Sequence, residues 1–386
     1  MYSKIYQVLS KYDHIRPYHD EEVNHALKAI GTHPMVKSML KFIYPQASEE
    51  YILEQLGNCN SIRDFQTNVI TRGVQNVLSR SSHGLTTSGF DKLEKDTAYF
   101  YISNHRDILL DTCLINLSLF NNDLIMTASA IGDNLVKKSF LLELAKLNRN
   151  FLVQRGLSPR EMLKSSRLMS EYMAEKILDD NRSIWIAHRE GRTKDGNDVT
   201  QQGVLKMIAL GKGKSSVFEH FKKIKIVPIA ISYEFDPTDM YKIPELMAKH
   251  YEEEYIKSSN EDFNSILKGL TGQKKRIHIS AGEVLNVELD EIANSGEPAN
   301  KQFQQLATTI DKKIHSQYKL WPTNYIAYDM LHSSEKYLKE YTDKEKRQFE
   351  RRVERRIDAS DAVAYQNFLA MYANPVFNKE QLNVKA

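Results

Sequence analysis

The sequence predicts an α/β fold: a mostly parallel central sheet flanked by helices, with helical N- and C-terminal extensions. Two observations carry this. From Thr97 onward, short runs of strand-forming residues alternate with longer helical stretches, the rhythm of a sheet whose strands are joined by crossover helices. Several of those strand runs also stop abruptly in polar or charged residues, as strands do where they leave a parallel sheet at its carboxyl edge, the edge at which ligands bind in such folds. The alternation fades on both sides, so the chain divides into a helical region 1–97, an α/β domain 98–320 and a helical region 321–386.

In the first region, Glu21–Ile30 and Pro34–Tyr44 read as helices. The second sets Met35, Met39, Phe42 and Ile43 against Lys37 and Lys41, a pattern that suits a core-facing helix or a basic amphipathic helix lying on a bilayer. A further helix covers Ile62–Leu78, and Ser79–Gly89, rich in Ser, Thr and Gly, reads as a loop. In the α/β domain the expected strands are Ala98–Ser103, Asp123–Ala128, Asn150–Gln154, Ser183–His188, Ile224–Tyr233 and Arg276–Ala281. The expected helices are Ile108–Phe120, Asn134–Leu147, Pro159–Leu178, Gly203–Gly211 and Lys301–Lys319. Pro228, inside an apolar run, points to an edge strand or a bend.

In the last region Thr342 and Glu345 form a capping box for a charged helix, Lys344–Ile357. Phe349, Val353 and Ile357 make one narrow apolar stripe. Arg347, Arg351, Arg352, Arg355 and Arg356 would suit lipid headgroups or an acidic carrier protein. The interleaved Glu345, Glu350 and Glu354 favour a solvated helix docked by its stripe.

Composition narrows the class. At 386 residues the chain can bury a full core, and 20 Tyr with 15 Phe argue against low-complexity disorder. A net charge of +3 is no signal for nucleic acid, and neither nucleic acid nor metal is expected as a partner. Cys59 and Cys113 stand alone, without metal-ligand spacing or a disulfide framework, which fits a reducing, cytoplasmic setting. Met1–Asp20 lacks the apolar core of a signal peptide, and no run of about 18 apolar residues occurs. Work on lipid would therefore be done from the membrane surface, as a peripheral protein on the inner face.

The chemistry gathers at Tyr99–Asp111. Strand formers give way to Asn104, His105, Arg106 and Asp107, and a helix follows. Asp111, among Leu109, Leu110, Leu114 and Ile115, needs a partner because an unpaired buried charge is costly. His105 is the nearest candidate, and a His held by an Asp is an oriented general base. The same residues also fit a plainer role, with Asp107 capping the helix and His105 a hydrogen-bonded turn residue. Two more strand ends add cations: Arg155 before Gly156, and Arg192 and Lys194 after the turn Glu190-Gly191. Arginine forks match phosphate oxygens bidentately, so these residues would hold an anionic substrate beside His105. Glu190 would brace an arginine or the backbone. Ser232, Tyr233 and Glu234 leave the last apolar strand as a polar step that supports an acceptor pocket.

Taken together, Asn104-His105…Asp111, Gln154-Arg155-Gly156, Glu190-Gly191-Arg192 and Val227-Pro228…Glu234 resemble the four ordered blocks of the glycerol-3-phosphate and 1-acylglycerol-3-phosphate acyltransferase superfamily. The resemblance covers roughly residues 95–320. Five residues stand between His105 and Asp111, one more than in the family's pattern, so Asp107 competes for the partner's role. Arg192 follows Gly191 directly, and Arg189 stands where many members have proline. The resemblance implies that His105 deprotonates an acceptor hydroxyl, that Asp111 orients the ring, and that the hydroxyl attacks an acyl thioester directly. Arg155, Arg192, Lys194 and Arg106 would grip the acceptor phosphate, with Asn104, Asp107, Glu190, Gly191 and Pro228 in support. No cofactor is implied beyond the co-substrate, acyl-CoA or acyl-carrier protein. Backbone N–H groups near the Glu190 turn, or at the start of the helix that begins at Ile108, are where an oxyanion would be held. The altered spacings leave a second reading open, a non-catalytic lipid- or carrier-binding protein that keeps the fold.

Overall fold

The computed structural model describes residues 10–358 and 360–384. Its centre is a seven-stranded sheet of β1 (Ser82–Ser88), β2 (Phe100–Ser103), β3 (Ala128–Gly132), β4 (Asn150–Val153), β5 (Ile184–Ala187), β6 (Ile226–Tyr233) and β7 (Lys275–Ala281). The order across the sheet is β1-β7-β6-β2-β5-β3-β4. All neighbouring pairs are parallel except β6 and β7. Helices cover both faces, and both terminal regions are mainly helical, as expected.

Strand β2 lies between β6 and β5, and all four of its residues are buried. Alternation sends Phe100 and Ile102 to one face, where they join Ile184, Ile186, Ile226 and the helices Pro159–Leu178 and Ala299–Gln317. Tyr99 and Tyr101 go to the other face, with Trp185, Val227, Ile229, Ile277 and helix Leu110–Asn121. Two covered faces explain why these strands read as near-continuous apolar runs. The N-terminal helices close a separate core around Val23, Leu27, Leu56 and Phe65, and the C-terminal helices another around Ile326, Phe349, Phe368 and Tyr372.

Three expectations about elements are corrected. Ser79–Gly89 is not a loop: a helix runs through Ser81, and Ser82–Ser88 is the sheet's edge strand. Its Ser and Thr residues are those of a solvent-facing edge, with Thr86 Oγ1 and Ser88 Oγ hydrogen-bonded to the His278 ring at 2.8 and 3.1 Å. The strand ends at Gly89, where φ is +79° and a Cβ would lie 2.0 Å from the Ala281 carbonyl oxygen. Strand β3 begins at Ala128 rather than ending there. The preceding helix overruns to Asn121, Asp123 turns with φ +56°, and Asn116 Oδ1 accepts from Thr127 N at 2.7 Å. The helix expected from Asn134 starts at Ser139, after a short 3-10 turn.

Pro228 is also not on an edge strand, since β6 is interior. The antiparallel ladder with β7 runs only from Ile229 opposite Ala281 to Tyr233 opposite Ile277, so Pro228 lies just past its end. Its carbonyl still accepts from Gly282 N at 2.8 Å, and its missing N–H breaks no rung of that ladder.

In the charged helix Asp343–Glu354 and the turn after it, Phe349, Val353 and Ile357 are buried, so the stripe docks. Arg352 turns inward with it, donating to Asp239 Oδ2 at 2.8 Å and to the Asp236 carbonyl at 2.7 Å. Helix Pro34–Ile43 buries Val36 and Leu40, while Met35 and Phe42 stay exposed.

Lys274 is fully buried at the C-terminus of helix Glu261–Thr271. Its ammonium donates to the carbonyls of Leu270 (3.1 Å) and Gly272 (2.7 Å) and to Ser81 Oγ (2.8 Å). This meets the negative end of the helix dipole and carbonyls that lack an intrahelical donor. Lys274→Met removes all three bonds at once and is expected to lower stability by about 2–4 kcal/mol, read by denaturant unfolding.

Candidate active site

The loop leaving β2 carries His105 out of the sheet at its carboxyl edge. Asn104 fixes the departure: its side chain accepts from Ile231 N (2.8 Å) and donates to Ile231 O (3.0 Å), riveting the end of β2 to β6. The His105 carbonyl accepts from Thr193 N at 2.9 Å, which draws the loop after β5 alongside. Its ring meets Trp185 edge-on, with centroids 5.5 Å apart, and its side chain is 14% exposed.

Asp111 lies on the first turn of helix Leu110–Asn121, completely buried. Its Oδ2 accepts from His105 Nδ1 (2.8 Å), Arg106 N (2.6 Å) and Asp107 N (3.0 Å), and its Oδ1 accepts from Tyr233 OH (2.9 Å). Every neighbour is a donor, so the carboxylate acts only as an acceptor. Its contact with Nδ1 therefore puts the ring proton on Nδ1 and leaves the lone pair of a neutral imidazole on Nε2. His105 Nε2 has no hydrogen-bond partner among the described residues. Asp107, the rival partner, caps the helix instead, with Oδ1 accepting from Leu109 N (3.0 Å) and Leu110 N (2.8 Å). Burial and the neighbouring Asp111 charge raise its pKa.

The cations separate into free and committed ones. Arg106 is buried and ion-paired with Asp198, its guanidinium over the Tyr318 ring. It is not presented as a phosphate donor, contrary to expectation, because the buried Asp198 demands a counter-charge. Lys194 is likewise bound to Glu245 at 2.7 Å, and burial lowers its pKa. Arg155 follows the edge strand β4 and pairs with Glu190 near the surface. Arg192 differs from all three. It is 8% exposed, its Nη1 is buried without a partner, and among the described residues its guanidinium makes neither a hydrogen bond nor an ion pair. Gly191 turns the chain into it with φ +69°.

Ser232, Tyr233 and Glu234 are buried braces rather than pocket lining. Ser232 Oγ accepts from Lys319 N (3.0 Å), Tyr233 holds Asp111, and Glu234 is clasped by Lys275 and Arg276. The start of the helix offers no donor from Arg106, Asp107, Leu109 or Leu110, whose N–H groups are spent on Asp111 and Asp107. Glu190 N is spent on Gln201 Oε1. The N–H groups of Gly191 and Arg192 make no hydrogen bond among the described residues. Asp198 is the participant that the sequence did not single out, and Tyr233, expected to support an acceptor pocket, holds Asp111 instead. Three open cavities of about 400, 610 and 60 Å³ lie elsewhere and do not include His105.

Comparison with family models and with curated proteins gave no match to this chain. Among solved structures, the 1-acyl-sn-glycerophosphate (LPA) acyltransferase PlsC from Thermotoga maritima is similar over 76% of this chain and 94% of its own, at 11% identity and a TM-score of 0.37. No helix among the described residues is long and apolar enough to cross a membrane.

Proposed function

We propose that the protein is a glycerolipid-type O-acyltransferase, moving a fatty acyl group from acyl-CoA or acyl-carrier protein to the hydroxyl of a glycerol-phosphate acceptor such as glycerol-3-phosphate or lysophosphatidate. The observation that carries the reading is an imidazole oriented through Nδ1, with Nε2 left without a partner among the described residues, together with the unpartnered guanidinium of Arg192 on the loop tied to His105. The order of the four sequence blocks supports it.

In this reading His105 Nε2 takes the proton of the acceptor hydroxyl as its oxygen bonds to the thioester carbonyl carbon. The tetrahedral oxyanion collapses, the C–S bond breaks, and the imidazolium returns its proton to the leaving thiolate. Asp111 stabilises the imidazolium between those two transfers. Arg192 binds the acceptor phosphate and thereby holds the hydroxyl at Nε2, a positioning effect that can supply several kcal/mol of the barrier. The N–H groups of Gly191 and Arg192 are the donors proposed for the oxyanion. Direct transfer, with no acyl-enzyme, fits the cysteines: both are buried, and burial pushes the Cys113 thiol to about 12 and the Cys59 thiol to about 11, away from nucleophilic thiolate. The membrane partner is proposed to meet the exposed Met35, Phe42, Tyr51 and Leu53, with Lys37 and Lys41 beside them.

The test offers purified protein a labelled long-chain thioester with glycerol-3-phosphate, lysophosphatidate or a non-phosphorylated lysolipid. Transfer to a phosphorylated acceptor supports the proposal. No transfer from either carrier type, by folded protein, favours the binding protein, and release of free fatty acid without an acceptor indicates a hydrolase. Arg192→Gln is expected to raise KM for the phosphorylated acceptor about 10- to 100-fold, the loss of one charge-assisted contact, with kcat much less affected. Its folding stability should change little, since the guanidinium makes no hydrogen bond or ion pair among the described residues and only its longer-range attraction for Asp107 is lost. An unchanged KM would remove Arg192 from the phosphate site.

A further inference from the structure

A second cluster of cations sits at the opposite, amino edge of the sheet. Arg149 immediately precedes β4 and Arg182 lies just before β5, and both line a cavity of about 400 Å³ whose wall includes the first residue of β3, Ala128. That volume falls within the range of small-molecule sites. Tyr12, Pro17, Ile62 and Tyr172 close its sides.

The charges in this cavity are unequally served. Its acids are all committed: Asp20 accepts from Ile62 N (3.0 Å), Glu175 from Tyr12 OH (3.0 Å), and Asp180 is paired with Lys176. Arg16 is spent on Asp13 and Glu22. Arg149 and Arg182, by contrast, make no side-chain hydrogen bond or ion pair among the described residues, and Arg149 Nε is buried without a partner. Burial and the charge of Arg182 bring the Arg149 guanidinium down to about 10. Burial and the charge of Arg63, on the helical turn Ile62–Asp64, lower Arg182 in turn. The backbone is held in an uncommon conformation to place them, with φ +60° at Arg149 and +45° at Asn181. Like charges lining a cavity, with their donors unused, destabilise the empty protein and suit an occupant that brings several anionic oxygens.

We propose that this cavity binds a phosphate-bearing small molecule, with Arg149 and Arg182 as its bidentate donors and the nearby Arg63 adding positive charge. The site is separate from His105, at the other edge of the sheet, and does not depend on the acyltransferase reading.

Thermal unfolding of the full chain against inorganic phosphate and pyrophosphate, at matched ionic strength in chloride, tests this. The expected result is a saturable rise in Tm, about 3 °C at a hundredfold excess over the dissociation constant. It should persist in Arg192→Gln and vanish when Arg149→Gln and Arg182→Gln are added to that background; the double variant alone should have an unliganded Tm no lower than that of the parent. Arg63→Gln, an exposed change that spares the fold, should weaken binding severalfold, so the proposal stays testable if the double variant does not fold. No saturable rise, a rise lost with Arg192 alone, or a rise that survives in Arg192→Gln after loss of both Arg149 and Arg182 overturns it. Flotation with phosphatidylcholine vesicles containing phosphatidate then separates the sources. Retention that needs the same two arginines assigns the phosphate to a lipid headgroup, and retention indifferent to them assigns it to a soluble molecule.

Discussion

His105→Ala is expected to lower kcat/KM for acyl transfer about a thousandfold while leaving the protein folded. The size follows from the role: general-base assistance contributes roughly 10²- to 10⁴-fold, and no described neighbour of His105 is placed to replace Nε2. Ser103 Oγ is fully buried and donates to the Asn104 carbonyl at 2.7 Å, so it is unavailable for relief chemistry. The fold should tolerate the change because Asp111 Oδ2 keeps the N–H groups of Arg106 and Asp107 when the imidazole is gone. The lost hydrogen bond and the edge contact with Trp185 are worth about 1–2 kcal/mol together, a small shift in Tm for a chain of this size. Steady-state transfer from a labelled thioester, beside an unfolding curve, measures both. Turnover within a few fold of the parent would mean that His105 is only a turn residue.

The parts of this site that lie within one stretch of sequence were legible there, and the parts that depend on tertiary pairing were not. Ala98–Ser103 could be read as a strand because its residues are strand formers, and the polar break at Asn104 marked its end. The competition between Asp107 and Asp111 was visible, but the winner is decided by geometry: the turn at Arg106–Asp107 points both N–H groups at Asp111, and the first helical N–H groups claim Asp107. Tyr233 reaches Asp111 across 122 residues of sequence, and Asp198 reaches Arg106 across 92, so neither pairing leaves a local trace. Arg106 and Lys194 misled for the same reason. A cation at a strand end has the same appearance in sequence whether it faces a ligand or a buried acid. Pro228 misled because propriety in a ladder depends on where the neighbouring strand stops, which for β7 is Ala281, one residue short of its level.

Asp111→Asn is expected to cost nearly as much activity as loss of the imidazole, about 10²- to 10⁴-fold in kcat, although it is nearly isosteric. Four donors converge on this carboxylate, and an amide presents only one acceptor oxygen to them. If that oxygen takes the Oδ2 position, Tyr233 OH must turn to accept from the new NH₂ group, and the negative charge that stabilises an imidazolium is gone. If the amide sits the other way, its NH₂ confronts Arg106 N and Asp107 N, and the ring loses its Nδ1 acceptor. Either arrangement weakens the base without touching substrate. Asp111→Ala is more drastic for the fold: it strands the buried donors of Arg106, Asp107 and Tyr233 at about 1–3 kcal/mol each, a large share of a typical domain's stability. Asp107→Asn is the discriminating partner experiment. Its Oδ1 can go on capping Leu109 and Leu110 as an amide oxygen, and its unpartnered Oδ2 becomes a donor, so kcat should stay within a few fold of the parent. A collapse of kcat in Asp107→Asn with Asp111→Asn near normal would reverse the assignment and make Asp107 the residue that orients His105.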